Sequence, residues 1–332
     1  MAGFFYPGFR VYAEARPITL FYALGTQVLN PEFRKRNSKF PKCCRNLLLM
    51  ENHQVQFQLI QRQRAARQPQ GNAEIILHLT DELVRILQIQ ADDRILLLGL
   101  DEIRFTRSLS AAGKVEQFQQ FVPESLLGEA RFPRICMAVE PVSFSLIPKE
   151  LFDVAAAGDL LRLAGNWAEQ DGIFFEEVHP GIILVFSPGK EWLNYAAEIF
   201  DTSEIRWTTS FSGMLRYAAS MEEDALLACI GPASMHAFGK RAGRLEFFNR
   251  FNFRNEQDLL YYVLLSMEQS GLDPEVSPVK LCGSIMPGSA GFEKISRFVG
   301  NISFAMPPEL LSELPPSSGI RHPQFFDLLS LL

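Results

Sequence analysis

The run GSIMPGSAG, residues 283–291, has the glycine spacing of a loop whose backbone N–H groups cradle a phosphate. Ser289 stands where such a loop carries its lysine, so the run lacks the charge that chemistry needs. The five histidines, His53, His78, His179, His236 and His322, are scattered, without the HxxxH or HExxH spacing that puts two imidazoles on one helix face. His78 and His236 fall in apolar strand-like runs, where a hydrogen-bonded core histidine is the simpler reading. No Gly-x-Ser-x-Gly turn is present to expose a serine nucleophile. Glu176-Glu177 and Glu222-Glu223-Asp224 read as solvated turns rather than as a paired acid and base. Cys43 and Cys44 are adjacent but have no second Cys or His pair at ligand spacing, which argues against zinc.

The frame for any site is clearest between Leu245 and Phe304. Leu245, Phe247, Phe251 and Phe253 alternate with Arg244, Glu246, Arg250 and Arg254, the period-two pattern of a half-buried strand. Asn255 then caps a helix that places Leu260, Val263, Leu264 and Met267 on one face and stops at Gly271. Val279–Ile285, bounded by Pro278 and Pro287, reads as a buried strand feeding a helix that ends near Gly300. A helix joining two strands of one sheet must cross over to bury its apolar face, so this is half of an α/β domain. Upstream, three strands, Ile75–Leu79, Leu83–Ile89 and Arg94–Leu100, follow one another across short turns. Helices are expected over Gly113–Phe121, Pro123–Ala130 and Leu151–Trp167, and another through Trp192, Leu193, Ala196 and Ile199. Strands are expected at Ile135–Val139, Ser143–Ile147, Gly172–Glu177, Ile182–Phe186 and Ile205–Thr208. Leu226–Ile230, Ser234–Phe238 and Leu245–Phe251 are again three strands in a row, so the second half repeats the plan of the first.

The run NRFNFRNEQDLLYYVLLSMEQSGLDPEVSPVKLCGSI, residues 249–285, joins a phenylalanine-rich strand to an acidic-capped helix carrying Tyr261-Tyr262 and Glu268-Gln269. A Gly271-Leu-Asp-Pro turn and the strand end Leu281-x-Gly283 follow. With VEPVSFSLIPKELFD, Val139 to Asp153, it resembles the uncharacterised bacterial family known as domain of unknown function 3822, from about Glu74 to the C-terminus. The resemblance implies an actin-like ATPase fold: α/β, with two ribonuclease-H-like lobes facing a cleft, each with a mixed sheet opened by a three-strand meander. It implies no established activity. On this plan residues 1–72 are an extension, residues 73–218 the first lobe, and residues 219–332 the second lobe with a C-terminal helix.

The net charge of −6 is unevenly spread: residues 1–71 hold eleven Lys or Arg against three acids, and residues 72–332 twenty-one against thirty-five. An acidic body repels phosphate backbones, so no nucleic acid is expected on the folded part, and the stripe Phe247, Phe248, Phe251, Phe253 reads as core rather than as a base-stacking platform. The basic N-terminal stretch, residues 34–67, has two readings. It is an arm for nucleic acid or anionic lipid, or translation starts at Met50; the second fits the point where the resemblance begins. Cys136, Cys229 and Cys282 in apolar runs suit a reducing, cytoplasmic compartment. No apolar run reaches the roughly 18–20 residues that span a bilayer. The terminal FFDLLSLL, with Phe325, Leu328, Leu329 and Leu332, is expected to pack back on the body rather than to anchor on a membrane.

An actin-like ATPase holds ATP and magnesium with two Asp-x-Gly turns bearing Ser or Thr and with a glycine pair against the adenosine. The matching stretches here are LHLTDELV, residues 77–84, with Thr80 and Asp81 but no glycine, and CIGPASMHAF, residues 229–238, with Ser234 but a donor lost at Pro232. The third is Leu281-Cys-Gly-Ser284, where Gly283 and Ser284 supply one glycine of two. The expectation is a degenerate nucleotide site, no catalytic residue, no metal ligand, no bound cofactor and a protein partner. The alternative is an ATP-binding protein or slow ATPase using Thr80, Asp81, Ser234, Gly283 and Ser284.

Overall fold

A computed structural model describes residues 56–57, 73–91, 95–105, 110–121, 134–200, 204–306 and 322–332. After β1 (Gln56–Phe57), the chain forms β2 (Ala73–Leu79), β3 (Leu83–Ala91), β4 (Ile95–Arg104), α1 (Ala111–Phe121), β5 (Arg134–Val139), β6 (Ser143–Pro148) and α2 (Ala157–Ala164). The chain continues through β7 (Phe174–His179), β8 (Ile182–Ser187), α3 (Lys190–Ile199), β9 (Glu204–Thr209) and α4 (Ser212–Ser220). The second lobe contains β10 (Ala225–Ile230), β11 (Ser234–Arg241), β12 (Arg244–Asn252), α5 (Glu256–Gln269), β13 (Val279–Gly283), α6 (Ala290–Ile295) and β14 (Ile302–Phe304). A 3-10 turn (His322–Phe325) and α7 (Phe326–Leu329) end the chain.

The six-stranded sheet runs β1-β4-β3-β2-β5-β9 and the five-stranded sheet β12-β11-β10-β13-β14. In each, an antiparallel meander is extended by parallel strands, β2-β5-β9 in one and β10-β13-β14 in the other. A third, three-stranded sheet, β6-β8-β7, is inserted between β5 and β9. This is the expected α/β architecture of two meander-opened mixed sheets.

Alternation along the strands assigns their faces. Ile75, Leu77, Leu79, Val84 and Ile86 pack under α1 and α3 against Phe118, Trp192 and Tyr195. On the second lobe Leu226, Ala228, Val279 and Leu281 pack under α5 and α6. The other faces of both sheets look inward. Ile76, Leu87, Leu100, Cys136 and Ala138 meet Phe325, Leu328, Leu329 and Leu331, while Leu227, Cys229, Phe238 and Cys282 meet α4 and Phe326. The C-terminal segment therefore packs back on the body, but as a wedge touching both sheets rather than as part of the second lobe alone. Gly213 on α4 allows its close approach, since a Cβ there would stand 2.4 Å from the backbone of Ser330. Gly213→Ala is expected to lower stability by about 1–3 kcal/mol, as overpacked cores do. The check is a reduced denaturant midpoint with an unchanged slope.

Two expectations change. The helix read over Leu151–Trp167 is shorter: Asp153 is extended and caps Ala155 N–H, two 3-10 turns intervene, and extended Gly165 stops α2 after Ala164. The helix before Gly300 is only α6, one and a half turns long. Of the extension 1–72, only Gln56–Phe57 is described, and it pairs with the edge of β4. The helix expected over Pro123–Ala130 and the basic residues 34–55 and 58–67 lie outside the described residues. Asn255 caps α5 as expected, its side chain accepting from Gln257 and Asp258 N–H groups, and Gly271 closes the helix at φ +66°.

Candidate functional site

Four chain segments converge at one end of the gap between the sheets: the β2–β3 turn, the β10–β11 turn, the residue after β5 and the end of β13. Ligands of open α/β sheets bind at such strand ends. Thr80, Glu82, Glu140, Gly231, Ser234, His236, Arg250, Gly283, Ser284 and Asp327 line the cavity there, whose volume is about 30 Å³.

Four of the five sequence-predicted site residues, Thr80, Ser234, Gly283 and Ser284, line this cavity together. The fifth, Asp81, is bound to Arg250 on its wall at 2.8 Å. Thr80, Asp81 and the Ser284 N–H already have partners within the protein. The Thr80 hydroxyl accepts from Leu83 N–H at 3.1 Å and donates to Leu83 O, which folds its own turn. Asp81 also pairs with Lys114. Gly283 sits at φ +86°, and a Cβ there would lie 2.2 Å from Ile230 O, so its missing side chain serves the close approach of the ends of the paired strands β13 and β10. Ser284 N–H donates to that same Ile230 O.

The strongest electrostatics belong to residues the sequence reading did not single out. Arg250 on β12 spans the gap, reaching Asp81 at 2.8 Å and Glu140 at 3.5 Å. Glu140 also accepts from the Ser210 hydroxyl at 2.7 Å and lies 3.6 Å from His236 Nε2. Burial pushes the Glu140 carboxyl up, but Arg250, His236 and the Ser210 hydroxyl outweigh it and hold the group well below the usual carboxylate range. A general base works best with a pKa near the operating pH, so Glu140 in this state is a weak proton acceptor. Glu82 is the opposite case: burial dominates and raises its carboxyl, against hydrogen bonds from Ser234 and Ala233.

Behind this network a row of charges crosses the inner face of the first sheet. His78, Arg85 and Glu102 are direct cross-strand neighbours on β2, β3 and β4. Arg85 Nη1 reaches both oxygens of Asp327 at 2.7 Å, Arg85 Nε reaches Glu102 at 2.8 Å, and the guanidinium lies over the Phe325 ring. A sequence signal for this row exists: Arg85 and Glu102 stand inside the runs LVRILQI and LLLGLDEI, where a charge must be paired to be buried. Glu140 stands in the quoted VEPVSF motif, and Arg250 on the polar side of the phenylalanine strand.

Among the described residues no helix is long and apolar enough to cross a membrane, and no group of three or more His, Cys, Asp or Glu is arranged to hold a metal ion. None of the curated proteins compared with the chain matches it. Among solved structures, a Bacteroides thetaiotaomicron protein with actin-like ATPase fold and unknown function is similar at 16% identity and a TM-score of 0.60, covering 70% of this chain and 91% of that one. A chain of a PilM–PilN type IV pilus biogenesis complex is similar at 13% identity and a TM-score of 0.52, covering 79% and 98%. These likenesses, with the two meander-opened sheets, show the actin-like ATPase fold. The family model described as protein of unknown function, DUF3822, matches residues 66–302, and the chain belongs to that family.

Proposed function

We propose that this protein is a non-catalytic member of the actin-like class that holds its two lobes together with its own side chains and works by binding another protein. The observation that carries this reading is the Arg250 bridge: one guanidinium from the second lobe joins Asp81 on the β2–β3 turn and Glu140 at the end of β5. ATP with magnesium does not fit the residues as they stand. The Asp81 carboxylate is neutralised by two cations, the Thr80 hydroxyl is used within its turn, and a cavity of about 30 Å³ is far below the roughly 300–1,000 Å³ of a small-molecule site.

The inserted three-stranded sheet supports the interaction role. Leu151, Val154, Ile173 and Phe175 are exposed there around the Phe152–Phe175 ring contact at 5.0 Å, and clustered exposed apolar residues mark interaction sites. The likeness to a chain from a pilus biogenesis complex agrees with a role inside an assembly, at the level of fold alone.

Thermal unfolding of the full chain in millimolar ATP and magnesium tests the reading. The expected result is a melting temperature unchanged from that with magnesium chloride alone. Any ligand that binds only the folded state raises it, so a saturable rise with ATP would restore the ATP-binding alternative.

A further inference from the structure

Glu82 crosses from the first lobe into the β10–β11 turn of the second. Its Oε1 accepts from Ala233 N–H at 3.0 Å, and the Ser234 side chain lies close enough to favour the ionised carboxylate. Gly231 N–H closes the turn on Ser234 O at 2.7 Å. A Cβ on Gly231 would stand 2.7 Å from Glu82 Oε2, so the glycine leaves the space that the carboxylate fills. A backbone N–H, a hydroxyl and a glycine without a Cβ are the means by which a turn takes an oxyanion, and a carboxylate oxygen satisfies the same donors. Arg250 lies close enough to favour the ionised form of Glu82.

We propose that the turn 231–234 is an anion site whose resident anion is the chain's own Glu82, supplied from the opposite lobe, so that lobe closure requires no ligand. With Glu82 removed, the site takes a tetrahedral oxyanion, inorganic phosphate being the simplest. This deepens the non-catalytic reading and rests on it. The resident carboxylate is covalently tethered, so its high effective concentration excludes a free anion from the wild-type site.

The test uses the full chain as wild type, Glu82→Ala and Glu82→Gln, melted in inorganic phosphate and in chloride of equal ionic strength. Wild type and Glu82→Gln, which keeps the acceptor oxygen, are expected to melt alike in both salts. Glu82→Ala is expected to melt roughly 2–4 °C higher in phosphate at about ten times its dissociation constant. A Glu82→Ala protein as indifferent to phosphate as wild type overturns the proposal and leaves the scaffold reading intact. A wild type stabilised by ATP and magnesium overturns the scaffold reading instead. Should Glu82→Ala not fold, Gly231→Ala gives an independent answer by displacing the carboxylate. The Ala233 amide is then expected to exchange roughly tenfold faster, and unchanged exchange overturns the proposal.

Discussion

Replacing Asp327 by alanine is expected to cost about 3–5 kcal/mol of stability, the usual loss when one partner of a buried ion pair is removed. Arg85 is 2% exposed and cannot turn to water, and its other partner, Glu102, is shared with Arg104 at 2.6 Å. Arg85 in Asp327→Ala is thus a buried charge with half of one carboxylate. Burial alone would raise the Asp327 carboxyl, but Arg85, His78 and the Leu328 N–H pull it below its ordinary value. The C-terminal wedge is therefore held by charge as well as by Phe325, Phe326, Leu328 and Leu329. Urea unfolding measures the loss, and a companion variant separates charge from packing. Arg85→Met with Asp327→Leu removes both ions and keeps apolar volume, so it is expected to recover most of the stability. A double variant as unstable as Asp327→Ala would mean that the wedge depends on shape rather than on the ion pair.

That pair also shows where the sequence stops being legible. Arg85 and Asp327 are separated by 242 positions, and no local pattern joins them. Features set within one turn of chain could be read directly: the Asn255 cap, the Gly271 stop, the alternation of β12 and the three-strand openings of both lobes. The resemblance to the family brought Thr80, Ser234, Gly283 and Ser284 to one place, because the motif positions they occupy are fixed by the fold. It could not show that Asp81 and the turn at Ser234 would be engaged internally, since Arg250 and Glu82 act across the gap between sheets. Helix α4 was missed for a different reason. Its glycine and serines weaken helix propensity, and it forms because Met214, Leu215 and Ala218 are buried between the three-stranded and five-stranded sheets. The expected lobe boundary, between residues 218 and 219, falls inside that helix.

Replacing Glu140 by alanine is expected to cost about 2–4 kcal/mol, on the lower side for a buried pair because Arg250 keeps Asp81 and a quarter of its surface in water. The same carboxylate, together with Asp327, should shape the acid limb of stability. Its folded-state pKa is depressed, so the stability it contributes is present above its unfolded value of about 4.3 and is lost as pH falls through the folded value. His78 acts earlier. Burial lowers its pKa, against Asp327, so it is neutral in the fold and charges first in the unfolded chain; its share begins to fade as pH drops below about 6.5. Wild-type stability should accordingly fall in two stages on acidification, a gentle one below neutrality and a steeper one below about pH 4.5. Glu140→Gln should flatten the lower stage and leave the upper, while His78→Gln should do the reverse. Denaturant midpoints measured from pH 7 to pH 3 decide it. A Glu140→Gln curve parallel to wild type through the lower stage would show that Arg250 is held by Asp81 alone, and Glu140 would have no share in keeping the lobes closed.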